Sequence, residues 1–102
     1  MYKNEIEILK KGKIAEFKAN NFNLKSRIKN RDLIRVDPCI NGIVPDNMIV
    51  FNFNNLIQAA FVLEVINNKY LILNDKTQDD FWIFKEDILG KIIKINKYKE
   101  KN

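Results

Sequence analysis

From residue 14 onward the chain runs as short apolar bursts broken by Asn, Asp and Lys, the spacing that strands joined by turns produce. This pattern predicts strands over residues 14–18, 32–36, 48–53, 59–66, 70–73 and 91–95. Two carry period-two faces: Ile49, Phe51 and Phe53 fall on one side of the third strand, and Ile93 with Ile95 on one side of the last. The run 56–66 is long enough for a helix, but its β-branched and aromatic residues and the Asn pairs at both ends favour a strand. Asn67, Asn68 and Lys69 predict a hairpin turn, because Asn tolerates positive φ. Ahead of the strands lies one short helix, with Asn4 as its cap, Glu7 completing a capping box, Ile6 and Leu9 on one face, and Gly12 as a left-handed stop. Pro38 and Pro45, with Gly42 between them, mark an irregular connection, and 85–89 predicts a single helical turn. The expected fold is mainly β: a small curled antiparallel domain with one short N-terminal helix.

The chain has 102 residues, the length of one ordinary domain, and 46% hydrophobic residues are enough to close one core, so 1–102 is read as a single domain. Only 3 Gly and 2 Pro argue against low complexity. The N-terminal residues hold no apolar run of the secretory kind, and the longest apolar stretch, 56–66, is interrupted by Gln58 and Glu64 and falls short of a membrane span. A cytoplasmic protein is expected. The lone Cys39 cannot form an internal disulfide and has no adjacent cation to activate a thiolate, so a structural role is expected for it. Net charge is +5, with 10 Lys/Arg against 6 Asp/Glu in residues 1–51 and 8 against 7 in 52–102. The cations are spread along the chain, apart from Lys10, Lys11 and Lys13 and the tail Lys94, Lys97, Lys99 and Lys101, which suits a solvated basic surface.

Several chemistries are excluded by composition. There is no His, which removes the commonest general base, the commonest metal ligand and the usual serine or cysteine triads. One Cys without His excludes the ordinary zinc spacings, and Gly12, Gly42 and Gly90 stand alone, so no phosphate-cradling glycine loop is present. Asp79, Asp80, Glu86 and Asp87 form the only acidic cluster, which reads as a solvated loop, since oxygen cages for divalent ions need convergent ligands. Phe51, Phe53, Phe61, Tyr70, Trp82 and Phe84 all fall in apolar strand patterns, so most are expected in the core and not on a base-stacking surface. No cofactor or metal is expected.

Four segments, read in order, resemble the superfamily of Ser-Lys proteases that contains signal peptidases and self-cleaving repressor domains, in its short stand-alone form. Asn21 to Asp32 occupies the register of the nucleophile box G-x-S-M-x-P-x-I-x-x-G-D, anchored by Ile28 and Asp32. Asp46-Asn47-Met48-Ile49-Val50-Phe51 resembles the G-D-I-V-V-F strand, and Ala60-Phe61-Val62-Leu63-Glu64-Val65 the strand that supplies the general base. Leu73-Asn74-Asp75-Lys76-Thr77 and Asp87-Ile88-Leu89-Gly90-Lys91 resemble the G-D-N loop and the closing I-x-G-K strand. In this register Asn23 stands at the nucleophile and Ala60 at the base. An amide cannot be the activated nucleophile and a methyl cannot take its proton, so the dyad fails at both positions. Ser26, the only serine, lies three residues beyond the nucleophile position, and Lys25 beside it points to the opposite face of an extended segment. The family's Gly-Asp turns have become Arg31-Asp32, Asp46-Asn47 and Asn74-Asp75.

The resemblance implies a scaffold that holds an extended peptide along a strand edge. The expected function is a catalytically inactive, signal-peptidase-like module that binds a peptide or partner protein, an accessory in peptide maturation, with Phe22, Asn23, Leu24 and Ala60 lining the binding site. The competing expectation is a small basic β domain that binds RNA or DNA. A third is a subunit of an obligate complex, which an exposed apolar patch would favour.

Overall fold

A computed structural model describes residues 2–22, 24, 27–74 and 79–99. One helix, α1 (Lys3–Lys10), precedes seven strands: β1 (Ala15–Lys18), β2 (Leu33–Asp37), β3 (Met48–Phe53), β4 (Leu56–Ile66), β5 (Lys69–Asn74), β6 (Asp79–Phe84) and β7 (Ile88–Asn96). A one-turn 3-10 helix, Lys85–Asp87, joins the last two. The strands form one antiparallel sheet in the order β1-β2-β7-β3-β4-β5-β6, and the sheet is not closed. No helix among the described residues is long and apolar enough to cross a membrane.

The helix differs from expectation at its start. It begins at Lys3, so Asn4 lies inside the first turn, and the capping residue is Tyr2 at φ 61, with no side-chain cap. Its end is as expected: Gly12 at φ 78 donates to Leu9 O and Lys13 N–H donates to Ile8 O, the paired bonds of a Schellman stop. Asn-rich turns shape the hairpins. Asn54 (φ 53) and Asn55 (φ 64) form a two-residue turn with both centres left-handed, and Asn67 (φ 55) opens the turn between β4 and β5.

Each face of the sheet carries its own core. On one, Val50, Ala59, Ile34, Val36 and Ile92 meet Leu9 of α1 and the segment that holds Ala19, Phe22, Leu24 and Ile28. On the other, Ile49, Phe51, Ala60, Val62, Tyr70, Ile72, Ile83 and Ile88 meet Ile43 of the irregular connection. Side chains standing three strands apart on a flat sheet would be separated by about 14 Å. Phe51 of β3 and Phe81 of β6 lie 6.3 Å apart, and Phe53 lies 5.1 Å from Phe81, so β3 to β6 curl around this second core.

Two local irregularities displace expected core residues. A bulge at Arg35/Val36 leaves Ile93 as the extra residue of β7, and it is 46% exposed although Ile95 packs inward. The segment from Asp79, expected as an acidic loop, is instead the edge strand β6. Its inner face buries Ile83, while Trp82 and Phe84 point to the uncovered face at 44% and 55% exposure. Cys39 is exposed and not structural, although Ile43 of the same connection joins the second core; its N–H donates to Asp37 Oδ1.

Candidate functional site

Residues 19–32 carry the segment that resembles the nucleophile box. Of its described residues, Ala19, Phe22, Leu24 and Ile28 pack in the first core. Phe22 is 7% exposed and Leu24 fully buried, both held in that core. Ala60 is fully buried in the second core, on the opposite face of the sheet. The expected site residues are therefore not brought together on an open surface. Asn23 lies outside the described residues, as do Lys25 and Ser26.

Three positions where the family pattern has glycine are left-handed here: Asn21 at φ 57, Arg31 at φ 76 and Asp46 at φ 76. Asn and Asp pay little for this conformation, whereas Arg carries the full steric cost of its Cβ. The fourth such position, Asn74, ends β5 and is not left-handed.

Asp32 anchors the segment. It is 2% exposed and accepts hydrogen bonds from Lys29 N–H (2.9 Å), Tyr98 N–H (2.9 Å) and Lys97 Nζ (3.0 Å), so it ties the turn to the end of the chain. Lys97 Nζ also donates to Arg27 O. Burial opposes ionisation of Asp32, but the two backbone N–H groups and the Lys97 ammonium outweigh it and hold the carboxyl below its ordinary value. Arg31 stacks on Tyr98, 5.2 Å from guanidinium carbon to ring centre. An open groove of about 380 Å³ beside this turn is lined by Tyr2, Lys18, Ala19, Asn20, Asn30 and Arg31.

An extended chain needs a free strand edge, and the sheet has two. At β1, the bond from Ala19 N–H to Asp32 O (2.8 Å) fixes the alternation, so Glu16 and Lys18 turn their backbone groups outward. The Tyr2 hydroxyl donates to Lys18 O at 2.6 Å and caps that short edge. Burial raises the Tyr2 hydroxyl above its ordinary pKa.

Among the described residues nothing pairs with the outer side of β6, and that edge is open. Lys85 N–H donates to Asn68 O at 3.0 Å, so by alternation Tyr70–Ile83, Ile72–Phe81 and Asn74–Asp79 are the hydrogen-bonded pairs with β5. Asp80, Trp82 and Phe84 consequently present their N–H and C=O groups outward, and of these the Phe84 N–H is taken by Asp87 Oδ2 at 3.1 Å. Beside this edge the uncovered face forms apolar rows. Leu63, the bulged residue of β4, and Glu64 stand opposite Leu71 and then Trp82, and Ile66 stands opposite Lys69 and then Phe84. Leu63, Ile66, Trp82 and Phe84 are each at least 40% exposed. The sequence carries a signal for this site in the continuous apolar run Phe81-Trp82-Ile83-Phe84, hidden by the two aspartates before it.

No protein-family model matches the sequence, and no curated protein matches it. The signal-peptidase resemblance rests on the four segments and their order.

Proposed function

We propose that the chain is a non-catalytic, signal-peptidase-like binding module that takes an extended polypeptide partner as an added strand along β6. The observation that carries this reading is the open β6 edge, with outward backbone groups at Asp80, Trp82 and Phe84 beside exposed Trp82 and Phe84 side chains. Backbone hydrogen bonds supply affinity in this mode, and side chains at alternate positions supply selectivity. The inactive dyad is part of the same reading: Ala60 offers a methyl group inside a closed core, and an amide stands at the nucleophile position. The left-handed Asn21, Arg31 and Asp46 support the register from which those assignments come.

The test is an array of extended seven-residue peptides with alternating apolar positions, titrated against the protein and its Trp82→Pro variant. Proline removes an outward N–H and leaves the ladder to β5 intact, so binders on β6 should lose affinity at least tenfold. Binding untouched by the substitution contradicts the reading. Salt separates it from nucleic-acid binding through Lys18 and Arg31 of the groove. Strand addition should change little between about 50 and 200 mM salt, whereas 6 to 10 phosphate contacts would lose roughly a thousandfold or more.

A further inference from the structure

The strand that fits the β6 edge can be sought in the chain itself, and this step rests on the reading of β6 as a strand-accepting edge. Two copies related by a two-fold axis perpendicular to the sheet pair antiparallel with the same face up. Opposed residues must then share a face, which restricts β6 against β6 to registers centred on a residue. Centring on Trp82 sets Trp82 against Trp82, Phe81 against Ile83 and Asp80 against Phe84, and it brings Asp79 toward Lys85, the first residue of the 3-10 turn that follows β6, at both ends. Centring on Phe81 sets Asp80 against Trp82 and Asp79 against Ile83, so that neither carboxylate stands opposite a cation. Charge therefore selects the first register.

The outward groups agree with it except at Phe84 N–H. Trp82 N–H reaches Trp82 O of the second copy in both directions, and Asp80 N–H reaches Phe84 O in both directions. Phe84 N–H, held by Asp87 Oδ2, has to exchange that carboxylate for Asp80 O of the second copy. On the uncovered face the two Trp82 rings meet at the axis. Exposed Phe84 of each copy lies beside Asp80 of the other, with its own Lys69 6.0 Å from the ring centre on the far side. We infer that the partner strand is β6 of a second copy, giving a symmetric dimer with one continuous sheet centred on Trp82.

Sedimentation equilibrium across a concentration series tests this. The 12.1 kDa chain should approach twice that mass, and Trp82→Pro and Trp82→Ala should return it toward the monomer. Asp79→Lys sets lysine against lysine at both ends and should weaken association about tenfold. Lys85→Asp should do the same by setting aspartate against aspartate. The double variant Asp79→Lys with Lys85→Asp restores opposite charges and should recover the wild-type constant. A dimer that ignores Trp82→Pro, or a double variant no better than the singles, overturns the inference. A monomer at millimolar concentration also overturns it. If that monomer still binds array peptides in a Trp82→Pro-sensitive way, β6 remains a strand-accepting edge for another polypeptide. If it binds none, both readings fail.

Discussion

Replacing Asp32 with alanine removes the acceptor for three donors that join residues 29, 97 and 98. The Lys29 and Tyr98 N–H groups bond a carboxylate that is 2% exposed, and a hydrogen bond to a charged group contributes about 1.5–3 kcal/mol net. The Lys97 side chain is 52% exposed, so its pair is discounted to about 0.5 kcal/mol. The loss at pH 7 should be about 3.5–6.5 kcal/mol, a large share of the 5–15 kcal/mol typical of a domain. Asp32→Asn keeps one acceptor but places an amide donor against a donor, and should cost about 2–3 kcal/mol. Urea unfolding followed by circular dichroism measures both, with the midpoint moving and the slope unchanged. The pH dependence follows from the lowered carboxyl pKa. The native state holds fewer protons than the unfolded chain in this range, so the Asp32 contribution is complete above the unfolded value of about 3.9 and is lost as pH falls through the lower folded value. The stabilities of wild type and Asp32→Asn should therefore begin to approach each other as pH falls below about 3.9 and draw together through the lower folded value. A cost under about 1 kcal/mol at neutral pH, or a difference that does not shrink on acidification, would refute the reasoning.

Gly90→Ala should cost about 2–3 kcal/mol in the same urea assay, because a Cβ there would meet Asp37 O at 2.4 Å and Val36 Cγ1 at 2.6 Å. Arg31→Gly should raise stability by about 0.5 kcal/mol, since relief of the left-handed strain exceeds the loss of the Tyr98 stack and of chain entropy. Purified protein should hydrolyse no peptide and leave itself intact by mass spectrometry, and turnover that Ser26→Ala abolishes would contradict the inactive dyad.

Much of the fold is legible in the sequence because turns and alternation agree. The strand expected over 48–53 is β3 at the same bounds, and Asn67 adopts the positive φ that its hairpin requires. Where reading failed, a non-local cause was at work. Ile93 is turned out by a bulge set by its pairing with β2, and the helix starts early because Tyr2 is held by Lys18 across 16 residues. β6 was missed because aspartates at its start signal a loop, although a charged residue costs little on an edge strand with one open face. The candidate site was least legible. Phe22, Leu24 and Ala60 were identified by register with a family box, but register does not report burial, and they lie inside two separate cores.

The open β6 edge is tested most directly by residue-resolved amide hydrogen exchange over a dilution series. At the lowest concentration Phe81 and Ile83, which face β5, should be protected while Asp80 and Trp82 exchange freely, and the latter two should gain protection as the β6 edge acquires a strand. Protection of Asp80 and Trp82 in the dilute monomer, or exchange there that stays fast at every concentration and with every array peptide, would contradict the account.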